Sequence, residues 1–233
     1  MSENQIDLFA SPEASVDPPE DFDFGAIPTS ASIPILPGIY DSLETLANHC
    51  HSCQRCGLAA GRTNVVVSRG NPQAPIMIIG EGPGQQEDEQ GLPFVGKSGQ
   101  LLEKILAAVR LDTAKDVYIC NVVKCRPPGN RTPSTDETAA CKGYLLEQIR
   151  LVDPKIILMT GATAMKGLTG EKRGITKIRG QWMQWQGRWC MPIFHPAYLL
   201  RNASRAKGSP KWLMWQDIQA VRTKLDEMLA ASE

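Results

Sequence analysis

At 233 residues the chain has the length of one ordinary globular domain with some residues left over. Its 25 Lys and Arg balance 25 Asp and Glu, yet residues 1–40 hold seven of those acids, six prolines and no basic residue, so residues 41–233 carry about +7. That surplus favours a polyanionic partner, while the lack of any span-length apolar run or basic-then-apolar leader excludes a membrane or secreted protein and sets the expectation of a cytosolic one.

Residues 1–40 are too acidic and proline-rich to bury a core and read as a disordered tail ahead of one folded domain, 41–233. Within the tail, Gln5-Ile6-Asp7-Leu8-Phe9 places two adjacent hydrophobic anchors behind a glutamine. It resembles the pentapeptide by which bacterial repair and replication proteins bind the β sliding clamp. A short helix from Asp41, with Leu43 and Leu46, leads to Cys50-x2-Cys53-x2-Cys56. Seven cysteines are an odd number, and this spacing suits metal ligands better than a disulfide framework. Asn64–Ser68 is β-rich, and Gly70-Asn71-Pro72 turns into the first core strand, Ile76–Ile79, an apolar run suited to burial on both faces. Gly80, Gly82, Pro83 and Gly84 then turn the backbone sharply and let a flat ligand approach, releasing Glu81, Glu87 and Asp88. The loop Gly91–Gly96 carries Phe94 at its tip. Ser98 is expected to cap a helix with Leu101, Leu102, Ile105, Leu106 and Val109 on one face.

A second strand, Val117–Val123, contains Asn121 where a buried strand favours Val or Ile. It ends at Lys124-Cys125-Arg126-Pro127-Pro128, and Ser134 with Glu137 forms a capping box for a helix that carries Cys141. A third strand, Lys155–Thr160, precedes Gly161 and a short helix. Trp182, Trp185 and Trp189 flank Gln186-Gly187-Arg188 as a hairpin and are assigned to packing. The second arm, or a further core strand, is Cys190–Phe194, which ends at His195-Pro196. The final helix spans about Lys211 to Leu229, with Leu213, Ile218, Val221, Leu225 and Met228 at near-helical spacing. Strands alternating with helices give an α/β fold whose parallel sheet is covered on both faces, with ligands beyond the carboxyl ends of the strands. Glu81, Asn121 and His195 all fall there.

Cys53, Cys56, Cys125 and Cys141 form a soft four-thiolate set that can hold either zinc or an iron–sulfur cluster, with Cys50, His49 and His51 as competitors. Cys120 and Cys190, in apolar strands, read as core thiols. A metal group so placed fastens the ends of a basic loop, fixing Lys124, Arg126 and Arg131 for phosphate contact. Asn121 is a donor and an acceptor on a rigid strand, as reading the imide edge of a base requires. His195 can donate a hydrogen bond to developing anionic charge, and Phe94 can stack on a base.

The stretches GEGPGQQED (80–88), LPFVGKSGQLL (92–102), NVVKCRPPGNRTP (121–133) and HPAYLLRN (195–202) resemble, in order, the motifs of the family-4 uracil-DNA glycosylases, the iron–sulfur members of their superfamily. The resemblance runs from about Cys53 to the last helix and implies a three-layer α/β/α sandwich around a four-stranded parallel sheet. It further implies a [4Fe–4S] cluster on Cys53, Cys56, Cys125 and Cys141, leaving Cys50 outside the ligand set.

The implied reaction is hydrolysis of the N-glycosidic bond of deoxyuridine in single- or double-stranded DNA by a monomer, after the base is extruded from the stack. Phe94 then stacks on uracil, Asn121 pairs with its O4 and N3–H, and His195 donates to O2, with Gly82 and Pro83 also lining the base. The superfamily's usual aspartate is replaced by Gly82, so the attacking water falls to Glu81, while Glu87 walls off C5 against thymine's methyl; the two roles are exchangeable. The resemblance places a wedge at Leu199, in a loop after His195, and a phosphate contact at Arg201. A related group traps DNA through a histidine in a basic insertion; here Pro127–Arg131 has none, which implies turnover. The rival readings are a non-catalytic DNA-binding module and a zinc protein of the same fold, and a binding module gives no reason for Asn121 and His195 at separate strand ends.

Overall fold

The computed structural model describes residue 31 and residues 33–231, so the clamp-like segment Gln5–Phe9 lies outside the described residues. In chain order the elements are α1 (Leu43–Ser52), β1 (Arg69–Gly70), β2 (Ile76–Gly80), α2 (Gln85–Gln90), α3 (Lys97–Ala108), β3 (Val117–Asn121) and α4 (Thr135–Val152). There follow β4 (Ile156–Thr160), α5 (Ala162–Thr169), α6 (Ile175–Ile178), β5 (Met183–Trp185), β6 (Arg188–Ile193), α7 (Pro196–Arg201) and α8 (Pro210–Ala230).

The strands form one sheet in the order β1-β3-β2-β4-β6-β5. Its four central strands are parallel, as expected, and two short antiparallel strands flank them: β1 against β3 and β5 against β6. Alternation sorts the side chains cleanly. Met77, Ile79, Tyr118, Cys120, Ile157, Met159 and Cys190 face one layer with Leu46, Tyr144, Leu145, Ile149 and Met165 from α1, α4 and α5. Ile76, Ile78, Val117, Ile119, Ile156, Leu158, Met191 and Ile193 face the other with Leu102, Leu106, Ile218, Val221 and Leu225 from α3 and α8. Helices on both faces complete the three-layer sandwich.

Several local expectations change. The folded body starts earlier than residue 41: Ile35 and Tyr40 are buried, and Gly38 and Tyr40 donate their amides to Glu147. Asn64–Ser68 is not a strand; strand pairing begins after it, at Arg69–Gly70, although Val66 N–H donates to Lys124 O at 2.8 Å. The α3 cap is Gly96 rather than Ser98, because α3 starts two residues earlier, at Lys97. The hairpin and the final core strand are continuous: β6 is both. The Ser134/Glu137 capping box, the core placement of Cys120 and Cys190, and the packing of Trp182 against Trp189 agree with the sequence reading.

Leu106 is fully buried where α3 meets the sheet. Leu106→Ala is expected to lower the unfolding free energy by about 2–5 kcal/mol, read from urea denaturation at unchanged m-value. A loss below about 1 kcal/mol would mean that α3 does not seal that face.

Candidate active site

The register brings the strand ends to one level: Gly80 stands opposite Asn121, and Thr160 opposite Ile193. Beyond them opens a cleft of about 800 Å³ lined by residues of α2, α3, β3, β4, α5 and α7 and of the loops between them, among them Glu81, Glu87, Phe94, Asn121, His195 and Arg201. Gly82 and Pro83 line it too. These expected site residues, drawn from four separate stretches of sequence, therefore share one cavity. Asn121 is 2% exposed, and among the described residues its side-chain amide has no protein hydrogen-bond partner. A buried amide facing a cleft with both donor and acceptor unspent is suited to a polar ligand edge.

Phe94 is not at an exposed tip. It is buried against the site with its ring 5.9 Å from that of His195, in the left-handed region at φ 54°. Such a backbone needs support. Arg69 supplies part of it, donating Nε to Pro93 O at 2.7 Å and Nη2 to Phe94 O at 3.3 Å while paired with Glu103 at 2.6 Å. Glu87 supplies the rest: its carboxylate accepts from Gly84 N at 3.1 Å, Val95 N at 3.0 Å and Gly96 N at 2.8 Å. With its oxygens accepting from three backbone amides, Glu87 clamps the loop that carries Phe94. Gly99 is also required here, since a Cβ would come 1.8 Å from Phe94 O.

His195 caps α7, which the sequence reading had as a loop; its Nδ1 accepts from Ala197 N–H at 3.1 Å. That bond leaves the proton of a neutral imidazole on Nε2. Burial first and the Arg201 charge second, with Glu87 opposing them, hold the His195 pKa down to about 4, so the ring is neutral near pH 7. On the far side of the cleft, the Thr163 hydroxyl donates to Glu81 Oε2 and fixes that carboxylate. Neither Thr163 nor Arg69 was singled out from sequence, and no motif marks them.

The cysteines meet elsewhere. Cys53, Cys56, Cys125 and Cys141 line one small cavity with Cys50, Arg62, Lys124 and Tyr144. Arg62 donates to Cys125 Sγ at 3.4 Å and to Cys53 O at 2.8 Å. Burial raises the Cys56 and Cys125 thiols and pushes Cys141 up to about 12, so thiolates here require a cationic centre. Among the described residues the buried Tyr144 hydroxyl in the cavity wall makes no hydrogen bond, and a thiolate or sulfide is the acceptor it lacks. Among the described residues no three His, Cys, Asp or Glu side chains converge as the ligands of one ion do. Sulfurs around a multi-iron group stand further apart than around a single ion, and the sulfur-lined cavity fits such a group.

The expected DNA-facing residues differ in availability: Lys124, at 2% exposed, is buried and meets no phosphate, whereas Arg131 lines the cleft. Leu199 is 1% exposed, within the apolar cluster that also holds Phe194 and Met214, and as folded here is not presented to a base stack; its neighbour Leu200, at 46%, faces outward. Arg131 is already paired through both terminal nitrogens with Glu137, whose carboxyl it holds down to about 2. Arg126 donates to Asn130 at 2.7 Å, and Arg201 is exposed at the cleft.

A parallel sheet with a polar cleft beyond its strand ends, beside a separate cysteine-lined cavity, defines an α/β domain whose candidate site lies at the carboxyl ends of the strands. The sequence profile of the Uracil DNA glycosylase superfamily matches residues 67–219. The chain is 48% identical over 183 residues to the type-4 uracil-DNA glycosylase of Thermotoga maritima, covering 78% of this chain and 93% of that protein. It is 40% identical over 190 residues to the type-4 uracil-DNA glycosylase of Sulfurisphaera tokodaii, covering 78% and 84%. The Saccharolobus solfataricus enzyme of the same name is 39% identical over 170 residues, covering 70% and 79%. The chain belongs to the uracil-DNA glycosylase superfamily and, within it, to the type-4 family. No described helix is long and apolar enough to cross a membrane.

Because His195 is held neutral, its contribution to stability is intact above its ordinary value of 6.5 and is lost as pH falls from there toward about 4. An NMR titration of the imidazole is expected to give a midpoint near 4, and His195→Gln to flatten the acid loss of stability across that window. A midpoint near 6.5 would contradict the buried, neutral ring.

Proposed function

We infer that the chain is a uracil-DNA glycosylase of DNA base-excision repair, which extrudes deoxyuridine and hydrolyses its N-glycosidic bond to release uracil and leave an abasic site. The observation that carries this reading is the pairing, on one cleft floor, of the unpartnered Asn121 amide with a His195 locked as an Nε2–H donor. Extrusion costs a few kcal/mol in lost pairing and stacking. Stacking on Phe94 offsets part of it. Asn121 accepts from uracil N3–H and donates to O4; cytosine presents a donor where O4 was, and the pairing fails.

As the C1′–N1 bond lengthens, positive charge grows on the sugar and negative charge on uracil O2 and N1. A neutral Nε2–H donor to O2 stabilises the leaving anion without a proton having to move, and such a preorganised donor is worth roughly 3–4 kcal/mol. Glu81, held by Thr163, orients the water that adds to C1′, accepts its proton and offsets the sugar charge. Glu87 stands as the rigid wall toward C5. Arg201 and Arg126 are placed to meet phosphates. Cys53, Cys56, Cys125 and Cys141 would hold a [4Fe–4S] cluster, which when bound cross-links the N-terminal segment to the basic loop. The chain's basic balance beyond residue 40 supports DNA as the polyanion.

An oligonucleotide with a single uracil, incubated with the protein and then heated in alkali, is expected to break at the uracil. Intact strands at every protein excess would overturn the glycosylase reading. Glu81→Gln is expected to lower the single-turnover rate about 10²–10⁴-fold while retaining binding of uracil-containing DNA. Asn121→Ala is expected to weaken that binding and erode uracil-over-cytosine selectivity. The purified protein should be brown with broad visible absorption; a colourless, active preparation carrying zinc would overturn the cluster assignment.

A further inference from the structure

Lys124 is 2% exposed and lies between the two sites. Its ammonium donates to the Asn121 carbonyl at 2.6 Å and to Gln148 Oε1. Gln148 in turn donates through Nε2 to Val67 O at 3.1 Å and to the Tyr118 hydroxyl at 3.0 Å, so the acceptor is itself held. The backbone of Lys124 is fixed too, through Val66 N at 2.8 Å. At the same time Lys124 lines the cavity shared by Cys53, Cys56, Cys125 and Cys141.

Both acceptors of this buried ammonium are neutral, and among the described residues no carboxylate reaches it within ion-pair distance. A charge taken out of water is retained only where hydrogen bonds and an opposite charge compensate it. Four thiolates around an iron–sulfur group would carry net negative charge in the cavity that Lys124 also lines. The Asn121 amide, for its part, has no side-chain support, so its aim is set by the backbone whose carbonyl Lys124 holds.

We propose that Lys124 is a positioning residue that couples the cysteine centre to base recognition: the anionic centre balances the ammonium, and the ammonium anchors the end of β3 from which Asn121 reads the base. This rests on the functional reading above. It gives the cysteine centre a role beyond cross-linking, since removing its charge would loosen the base-reading residue without touching the cleft.

The test uses the full chain. The parent is first checked for visible absorbance and for turnover on the single-uracil oligonucleotide; a colourless, inactive parent would overturn the functional reading and this proposal with it. With a coloured, active parent, Lys124→Met is expected to release iron to excess chelator on the order of tenfold faster and to lower kcat/KM per retained cluster about 10–100-fold. Asn121→Ala should then cost far less in the Lys124→Met background than in the parent. Iron release at the parent rate, or fold-losses that simply multiply, would overturn the proposal. Should Lys124→Met not fold, Gln148→Glu supplies the missing carboxylate at nearly constant shape. Neutralising the ammonium this way is expected to make the cluster harder to reduce, and an unchanged reduction potential would overturn the proposal.

Discussion

Gly80 has no Cβ, and the space this leaves is what allows the Asn121 amide and the Phe94 ring to share one floor. A methyl group there would come 2.2 Å from Asn121 Oδ1 and 2.6 Å from Phe94 Cε2. The close approach follows from the sheet: parallel pairing sets Gly80 opposite Asn121, so the last side chain of β3 leans over the bare end of β2. With Thr160 and Ile193 level on the next pair, the turn into His195 starts at the same height. A one-residue slip in the β2–β3 pairing would turn Asn121 to the opposite face of the sheet and dissolve the site.

Around that floor, charged side chains are spent on holding backbone. Arg69 and Glu87 grip the Phe94 loop from its two sides, Thr163 fixes Glu81, Ala197 N–H fixes the His195 tautomer, and Lys124 anchors the carbonyl of Asn121. Groups that must act on a short-lived charge distribution are thereby oriented before the ligand arrives, which is where electrostatic preorganisation derives its effect. The neutral His195 belongs to the same logic. A buried imidazolium beside Arg201 would be costly, whereas a neutral N–H donor is available without a proton-transfer step.

The sequence was most legible where chemistry breaks a pattern. Asn121 interrupts an apolar strand, Phe94 sits in a Gly/Pro loop, and His195 ends the last core strand, so each was found from its residue type against its surroundings. The α/β/α layering was legible for the same reason, because apolar runs alternate with amphipathic helices. Short elements were not. The helix Pro196–Arg201 has too few residues to show a period, so Leu199 read as a loop side chain although it faces the core. Glu87 looked like a free carboxylate because nothing in its neighbourhood announces that Val95 and Gly96 amides return to it. Lys124 looked like a phosphate contact, since burial of a lysine is a tertiary fact. Ser98 lost the capping position to Gly96 because the loop clamped by Glu87 dictates where α3 begins.

The central claim is that Asn121 and His195 grip the same uracil ring. Free uracil titrated into ¹⁵N-labelled protein tests it directly, with the Asn121 side-chain amide and the His195 Nε2–H followed together. Both resonances are expected to shift along one saturation curve, with cytosine producing neither shift. Saturation of one signal while the other stays still, or shifts at unrelated concentrations, would mean that the two groups do not share a ligand.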